Sequence, residues 1–235
     1  TMQTQKDLCL AHPKGGIMNI DVLSFGRLAY RVFEEVGQDA RVVLDDEGKN
    51  LVLRKIAGEC EKDLKVFKGN LKKQGYISEV KSVLSEFAQY GVDFERLDDF
   101  MKEVPPESYL HYKLDDIRTI YEKFEEYLSE KYITKEEMLD VLSDAVPYSD
   151  ILKGSVVAMD GFTGFTPVQN RLIGELFSVC EKVMITVTMD GRENPYVYEH
   201  PYQIFALGKQ MVTSLMKIAG EKKTEIEEPI CLFER

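Results

Sequence analysis

The residues best placed to do chemistry fall in one stretch, Val156-Val-Ala-Met-Asp-Gly-Phe-Thr-Gly-Phe-Thr-Pro-Val-Gln169. Four apolar residues followed by Asp160 have the form of a Walker B strand, whose aspartate holds Mg²⁺ beside nucleotide phosphates. Hydrolysis needs a second carboxylate, usually a Glu in the next position, to orient the attacking water. Gly161 stands there and has no side chain to do it. Asp160 also has a structural reading, since an Asp at the end of a buried strand often caps the following turn; from the residues alone this is preferred. The other half of a triphosphate site is missing. No G-x-x-x-x-G-K-[ST] occurs, and the pairs Gly48-Lys49 and Gly208-Lys209 are followed by Asn and Gln. Tight triphosphate binding by these residues alone is therefore not expected.

A second stretch, Ser24-Phe-Gly-Arg-Leu-Ala-Tyr-Arg31, can present a different chemistry. On a helical wheel the apolar stripe centres on Phe25, Ala29, Val32 and Val36. Arg27 and Tyr30 fall on roughly the opposite side, three residues apart and adjacent on the surface. An arginine beside an off-core aromatic suits stacking on a base while pairing a phosphate. The plainer alternative is a solvated face, with Arg27 and Arg31 paired to Glu34 or Glu35; on two residues alone it is preferred. Phe162 and Phe165 fall in a turn, where they either plug the core or face a ligand. His12, His111 and His200 stand apart from any Ser, Cys or carboxylate pattern that suggests a triad. The acidic pairs Asp45-Asp46, Asp98-Asp99 and Glu125-Glu126 read as solvated faces or turns, not as a two-metal site.

The elements that position these residues can be read from pattern. Ile17 to Leu23 reads as a short strand after the Gly15-Gly16 turn. Ser24 then caps a helix ending at Gly37. From about Asp45 to Ala145 only helices are expected: one from Asn50 to Cys60, one on Val80, Val83, Leu84 and Phe87 with Ser78 as cap and Gly91 as stop, one on Phe94 to Met101, and one on Leu114 to Leu128. Thr134 and Glu137 form a capping box for a helix through Leu142. Val156 to Met159 reads as a buried parallel strand, and Thr166-Pro167 with Gln169 as a capped helix start. Lys182 to Met189 is expected as a strand, Pro201 to Ala219 as a helix, and Ile230 to Phe233 as a final strand. Strand–helix, helical block, strand–helix–strand–helix suits a parallel sheet with helical crossovers. The expected divisions are 1–42 and 154–235 for the two parts of an α/β domain, with 43–153 a helical insertion.

Composition sets bounds on these readings. The 235 residues are 44% hydrophobic and 30% charged, enough for a core without disulfide or metal staples. No apolar run reaches the roughly 18–20 residues of a membrane span. Residues 1–10 are polar, without the apolar core of a secretory signal, and the chain starts at Thr1, which suggests a trimmed start. Cys9, Cys60, Cys180 and Cys231 lie far apart, with no C-x-x-C pair, and suit a reduced, cytoplasmic protein with neither metal site nor disulfide framework. A net charge of −11 argues against a broad nucleic-acid surface but leaves room for a narrow groove.

Met18-Asn-Ile-Asp-Val-Leu-Ser-Phe-Gly-Arg-Leu-Ala-Tyr-Arg-Val-Phe33 and Asp160-Gly-Phe-Thr-Gly-Phe-Thr-Pro-Val-Gln169 resemble the B subunit of AddAB (RexAB) ATP-dependent helicase–nucleases, and the resemblance runs along most of the chain. In related superfamily-one helicases the first segment matches a single-strand-contact motif and the second the Asp–Glu ATPase motif. The resemblance implies an incomplete P-loop NTPase-like, helicase-like α/β domain with a large helical insertion. It implies a subunit that has lost motor function and scans single-stranded DNA for the recombination hotspot Chi during double-strand-break repair, beside an AddA-type motor subunit. Thr1, Phe25, Arg27 and Tyr30 match positions expected to contact the strand, and Phe162 or Phe165 adds a stacking aromatic. Asp160-Gly161 becomes a degenerate Walker B pair. The family's iron–sulfur cluster and Mg²⁺ belong to a distant C-terminal nuclease, so no cofactor is expected in this chain. With this resemblance, the functional reading of Arg27 and Tyr30 overtakes the plain one.

Overall fold

The computed structural model describes residues 2–37, 41–71, 73–129, 131–190 and 192–232. The chain is α/β, mostly helical, with two small parallel sheets. The elements, in order, are α1 (Met2–Ala11), α2 (Phe25–Val36), β1 (Val42–Leu44), α3 (Asp46–Cys60), α4 (Gln74–Tyr90), α5 (Phe94–Glu103), α6 (Tyr109–Leu128), β2 (Tyr132–Thr134), α7 (Lys135–Ala145), β3 (Val156–Met159), α8 (Pro167–Val179), β4 (Lys182–Ile185) and α9 (Ala206–Lys222). A 3₁₀ turn, Val146–Tyr148, follows α7.

Two cores organise these elements. The first gathers the apolar faces of α3, α4, α5 and α6, with Leu53, Ile56, Ile120 and Phe124 at its centre. Asp116 of α6 is buried beneath it. Its carboxylate accepts the N–H groups of Lys65, Val66 and Phe67 at 2.8, 2.7 and 2.8 Å, tying down the loop after α3. The second core joins Ala29 and Val32 of α2, Met138 and Leu142 of α7, and Leu172, Ile173 and Leu176 of α8. Each fully buried Leu or Ile contributes about 1.5–3 kcal/mol. α7 packs mainly on α2 and α8, and it also touches α4 of the first core.

Local signals set most helix ends. Gly37 adopts φ 72° and returns its N–H to Phe33 O, ending α2; Gly91, at φ 62°, ends α4. Asp45, Asp93 and Ser108 cap α3, α5 and α6. Thr134 and Thr166 make reciprocal capping boxes with Glu137 and Gln169, each cap contributing about 1 kcal/mol.

Other expectations are corrected. Ile17–Leu23 is not a strand: no strand among the described residues pairs with it, and unpaired backbone makes no ladder. Ser78 lies inside α4, because Ile77 extends the buried stripe a turn upstream. β2 lies within the block expected to be all helical, and it pairs in parallel with β1, Val43 opposite Ile133. β4 stops at Ile185, where its partner runs out. Met159 faces Ile185, and Thr186 N–H to Met159 O at 3.0 Å is the last rung. α9 begins at Ala206 after a turn over 201–205. Ile230–Leu232 forms no strand, and Phe233 lies outside the described residues.

Candidate nucleic-acid interface

α2 builds the first surface. Ser24 Oγ accepts Arg27 N–H at 3.4 Å, starting the helix, while fully buried Ala29 and Val32 fix which face meets α7 and α8. The opposite face presents Arg27, exposed, and Tyr30, 57% exposed. The neighbouring charges have other partners. Arg31 pairs with Asp21 at 2.5 Å. Glu35 accepts Ser149 Oγ–H at 2.6 Å and Ile151 N–H at 2.9 Å. Arg27 pairs with no carboxylate among the described residues. The alternative in which Glu34 or Glu35 neutralises it does not form.

The loop between β3 and α8 builds the second surface. The Phe162 ring lies 5.6 Å from that of Phe25 and 4.9 Å from that of Phe165, centroid to centroid. The three rings form one half-buried cluster against the second core, so the loop and the first turn of α2 are fastened together. Aromatic contacts of this kind add about 0.5–1.5 kcal/mol beyond area burial. They also bring the first turn of α2 to the C-terminal end of β3.

Asp160 ends β3 with its side chain exposed, and Thr186, just past β4, donates its hydroxyl to the Asp160 carboxylate. Gly161 adopts φ 80°, and a Cβ there would meet nothing within 4 Å. It is conformation, not space, that excludes a side chain at this position. Beyond β4, Arg192 grips Asp190 through side-chain and backbone bonds and holds its carboxyl down at about 2.

The family model described as "ADDB, N-terminal" matches residues 1–235. The chain belongs to the AddB N-terminal family. Relatives named as the B subunit of an ATP-dependent helicase/deoxyribonuclease include one from Lachnoclostridium phytofermentans, 45% identical over 98% of the chain. Others come from Thermoanaerobacter pseudethanolicus, at 34%, and Alkaliphilus oremlandii, at 32%, both over 100% of the chain. This AddB N-terminal chain spans about a fifth of the length of the curated relatives it matches (20% of each of these three).

Within this AddB region, the six candidate strand-contact residues divide. Thr1 lies outside the described residues. Phe25, Phe162 and Phe165 come together as a packed cluster, and Arg27 and Tyr30 stand outward on α2. Sequence reasoning missed Thr186 as the partner of Asp160 and Glu35 as the anchor of α2. A polar residue one step past a strand end was the signal for the first; the second had none, because its partners are more than a hundred residues away. Among the described residues no group of three or more His, Cys, Asp or Glu can hold a metal ion, and all four cysteines are free thiols. Among the described residues no helix is long and apolar enough to cross a membrane.

Proposed function

We propose that this chain is the non-motor, helicase-like region of the B subunit of a cytoplasmic ATP-dependent helicase–nuclease that repairs double-strand breaks by recombination. Its role is to bind and scan unwound single-stranded DNA, including the Chi sequence, beside an AddA-type motor subunit. The observation that carries this reading is the outward face of α2. Among the described residues no carboxylate compensates Arg27, although the chain is strongly acidic, and Tyr30 beside it is more than half exposed. A free guanidinium next to an open aromatic ring suits one phosphate and one base. Phe25, Phe162 and Phe165 support that face from below, their half-exposed edges being available for a second stack.

The non-motor part of the proposal rests on Asp160 and Gly161. Asp160 has a structural partner in Thr186, whose hydroxyl it accepts, in keeping with an aspartate that fastens the ends of β3 and β4. The neighbouring position holds a positive φ that a Glu would strain. The parallel pairing of β3 with β4 across α8 is in keeping with an incomplete P-loop NTPase-like ancestry.

A titration of labelled single-stranded oligonucleotide with the B subunit, read by fluorescence anisotropy at two salt concentrations, tests this. Affinity is expected to fall with salt. Arg27→Ala and Tyr30→Ala are each expected to weaken it, Tyr30→Ala by about 1–3 kcal/mol for the lost stack. Unchanged affinity in the double variant rejects the assigned face. A second reading, docking onto the motor subunit with no DNA contact, is favoured by the net charge of −11. It predicts no binding at low salt and retained assembly with the motor.

A further inference from the structure

The described residues of 186–205 form neither helix nor strand, yet they are not a loose polar loop. Tyr196, Val197, Tyr198, Tyr202, Ile204 and Leu207 are all exposed, Tyr202 at 88%. Several polar groups in and beside the strip bond to one another. Asn194 Oδ1 accepts Tyr196 N–H, Glu199 and Gln203 exchange two hydrogen bonds, and buried Lys209 pairs with Glu193. The backbone is thus held in place while the apolar side chains face out. Phe205, a bulky residue at φ 64°, starts α9 in the left-handed region without a side-chain cap, and such strain persists where surrounding structure requires it. The strip leads directly from β4. The outer face of the β3–β4 sheet is uncovered too, with Val156, Ala158 and Met184 exposed on it. Parallel sheets are normally covered on both faces, and a two-stranded one is marginal alone.

We propose that this strip and the adjoining sheet face seat another part of the same polypeptide, an apolar segment outside residues 1–235. An open apolar surface of this kind marks an interaction site, and a cover from the same polypeptide also guards it against aggregation. Relatives are about five times as long as this chain, which puts such a segment in cis at high effective concentration. Nucleic acid is the poorer occupant. Residues 190–209 carry three carboxylates, Asp190, Glu193 and Glu199, against two cations. Both cations, Arg192 and Lys209, are already paired.

The test uses the whole B subunit with Tyr202→p-benzoylphenylalanine, irradiated alone, with its partner subunit, and with single-stranded DNA. Mass mapping is expected to find an intramolecular crosslink to residues outside 1–235, with the same yield in all three samples. A crosslink to the partner, to DNA, or only to residues within 1–235 overturns the proposal, as does the absence of any crosslink. The readout does not depend on Arg27 and Tyr30, so loss of strand binding in their variants leaves this result standing.

Discussion

Glu35, near the end of α2, accepts the hydroxyl proton of Ser149, 114 residues further along the chain, at 2.6 Å. Ser149 is fully buried, and the same carboxylate also accepts the N–H of Ile151. This one side chain fixes the C-terminal end of α2 on the segment that leads into β3. Glu35→Ala leaves a buried hydroxyl without its partner. The expected loss is about 2 kcal/mol, seen as a lower denaturation midpoint with an unchanged slope. An unaltered midpoint means that water replaces the carboxylate at no cost.

Glu125 supplies a pH dependence. Burial, then the neighbouring Glu137 carboxylate, pushes its pKa up to about 7. The unfolded value lies near 4.5, so between these two limits the folded state binds the extra proton. Stability should therefore fall as pH rises from about 4.5 to about 7, then level off. Glu125→Gln mimics the protonated form and should flatten this part of the profile. Urea midpoints measured across the range decide it; a variant that keeps the wild-type slope refutes the assignment.

Lys49 of α3 is 2% exposed, with Nζ 2.7 Å from Glu136 of α7 and 3.2 Å from Ser85 Oγ of α4. It ties the first core to the second. Lys49→Met strands a mostly buried carboxylate and should cost about 3 kcal/mol. Lys49→Met with Glu136→Leu should recover most of that loss. A double-mutant cycle gives the coupling directly, and strictly additive losses would show that the two charges do not cooperate.

Restoring the absent carboxylate should not restore a motor. Gly161→Glu places a side chain at φ 80° and should lower stability by about 1–2 kcal/mol. No nucleotide turnover should appear, since a Glu on that strained backbone is not positioned to orient an attacking water. Measurable Mg²⁺-dependent hydrolysis in the variant would mean that only the base had been lost.

Features whose cause is local were legible in the sequence. The boxes at Thr134 and Thr166 and the stops at Gly37 and Gly91 depend on residues within a turn, and β3 declares itself by four apolar residues between turns. Features whose cause is distant were not. β1 and β2 are three residues each, and their partners are 90 positions apart. Ile17–Leu23 has a strand's composition but no neighbour to pair with. α3 starts at Asp46, four residues before the expected Asn50, and its buried Lys49 is paired with Glu136, 87 positions away. At the candidate interface, the outward positions of Arg27 and Tyr30 followed from helical period. The joining of Phe25 to Phe162 and Phe165 could not, because it spans two separate segments.

The pairing of Val42–Leu44 with Tyr132–Thr134 has a topological consequence. Parallel neighbours lie about 4.8 Å apart, and the register sets Leu44 beside Thr134 and Tyr132 beside Val42, so the chain leaves the pair at one end and rejoins it at the other. What lies between those two points has its own core, and it is held to the rest by Lys49 with Glu136 and by the packing of α4 on α7 and α8. Substitutions on the exposed side of α5, which packs mainly on α6, should therefore leave the outward face of α2 and the loop after β3 in place.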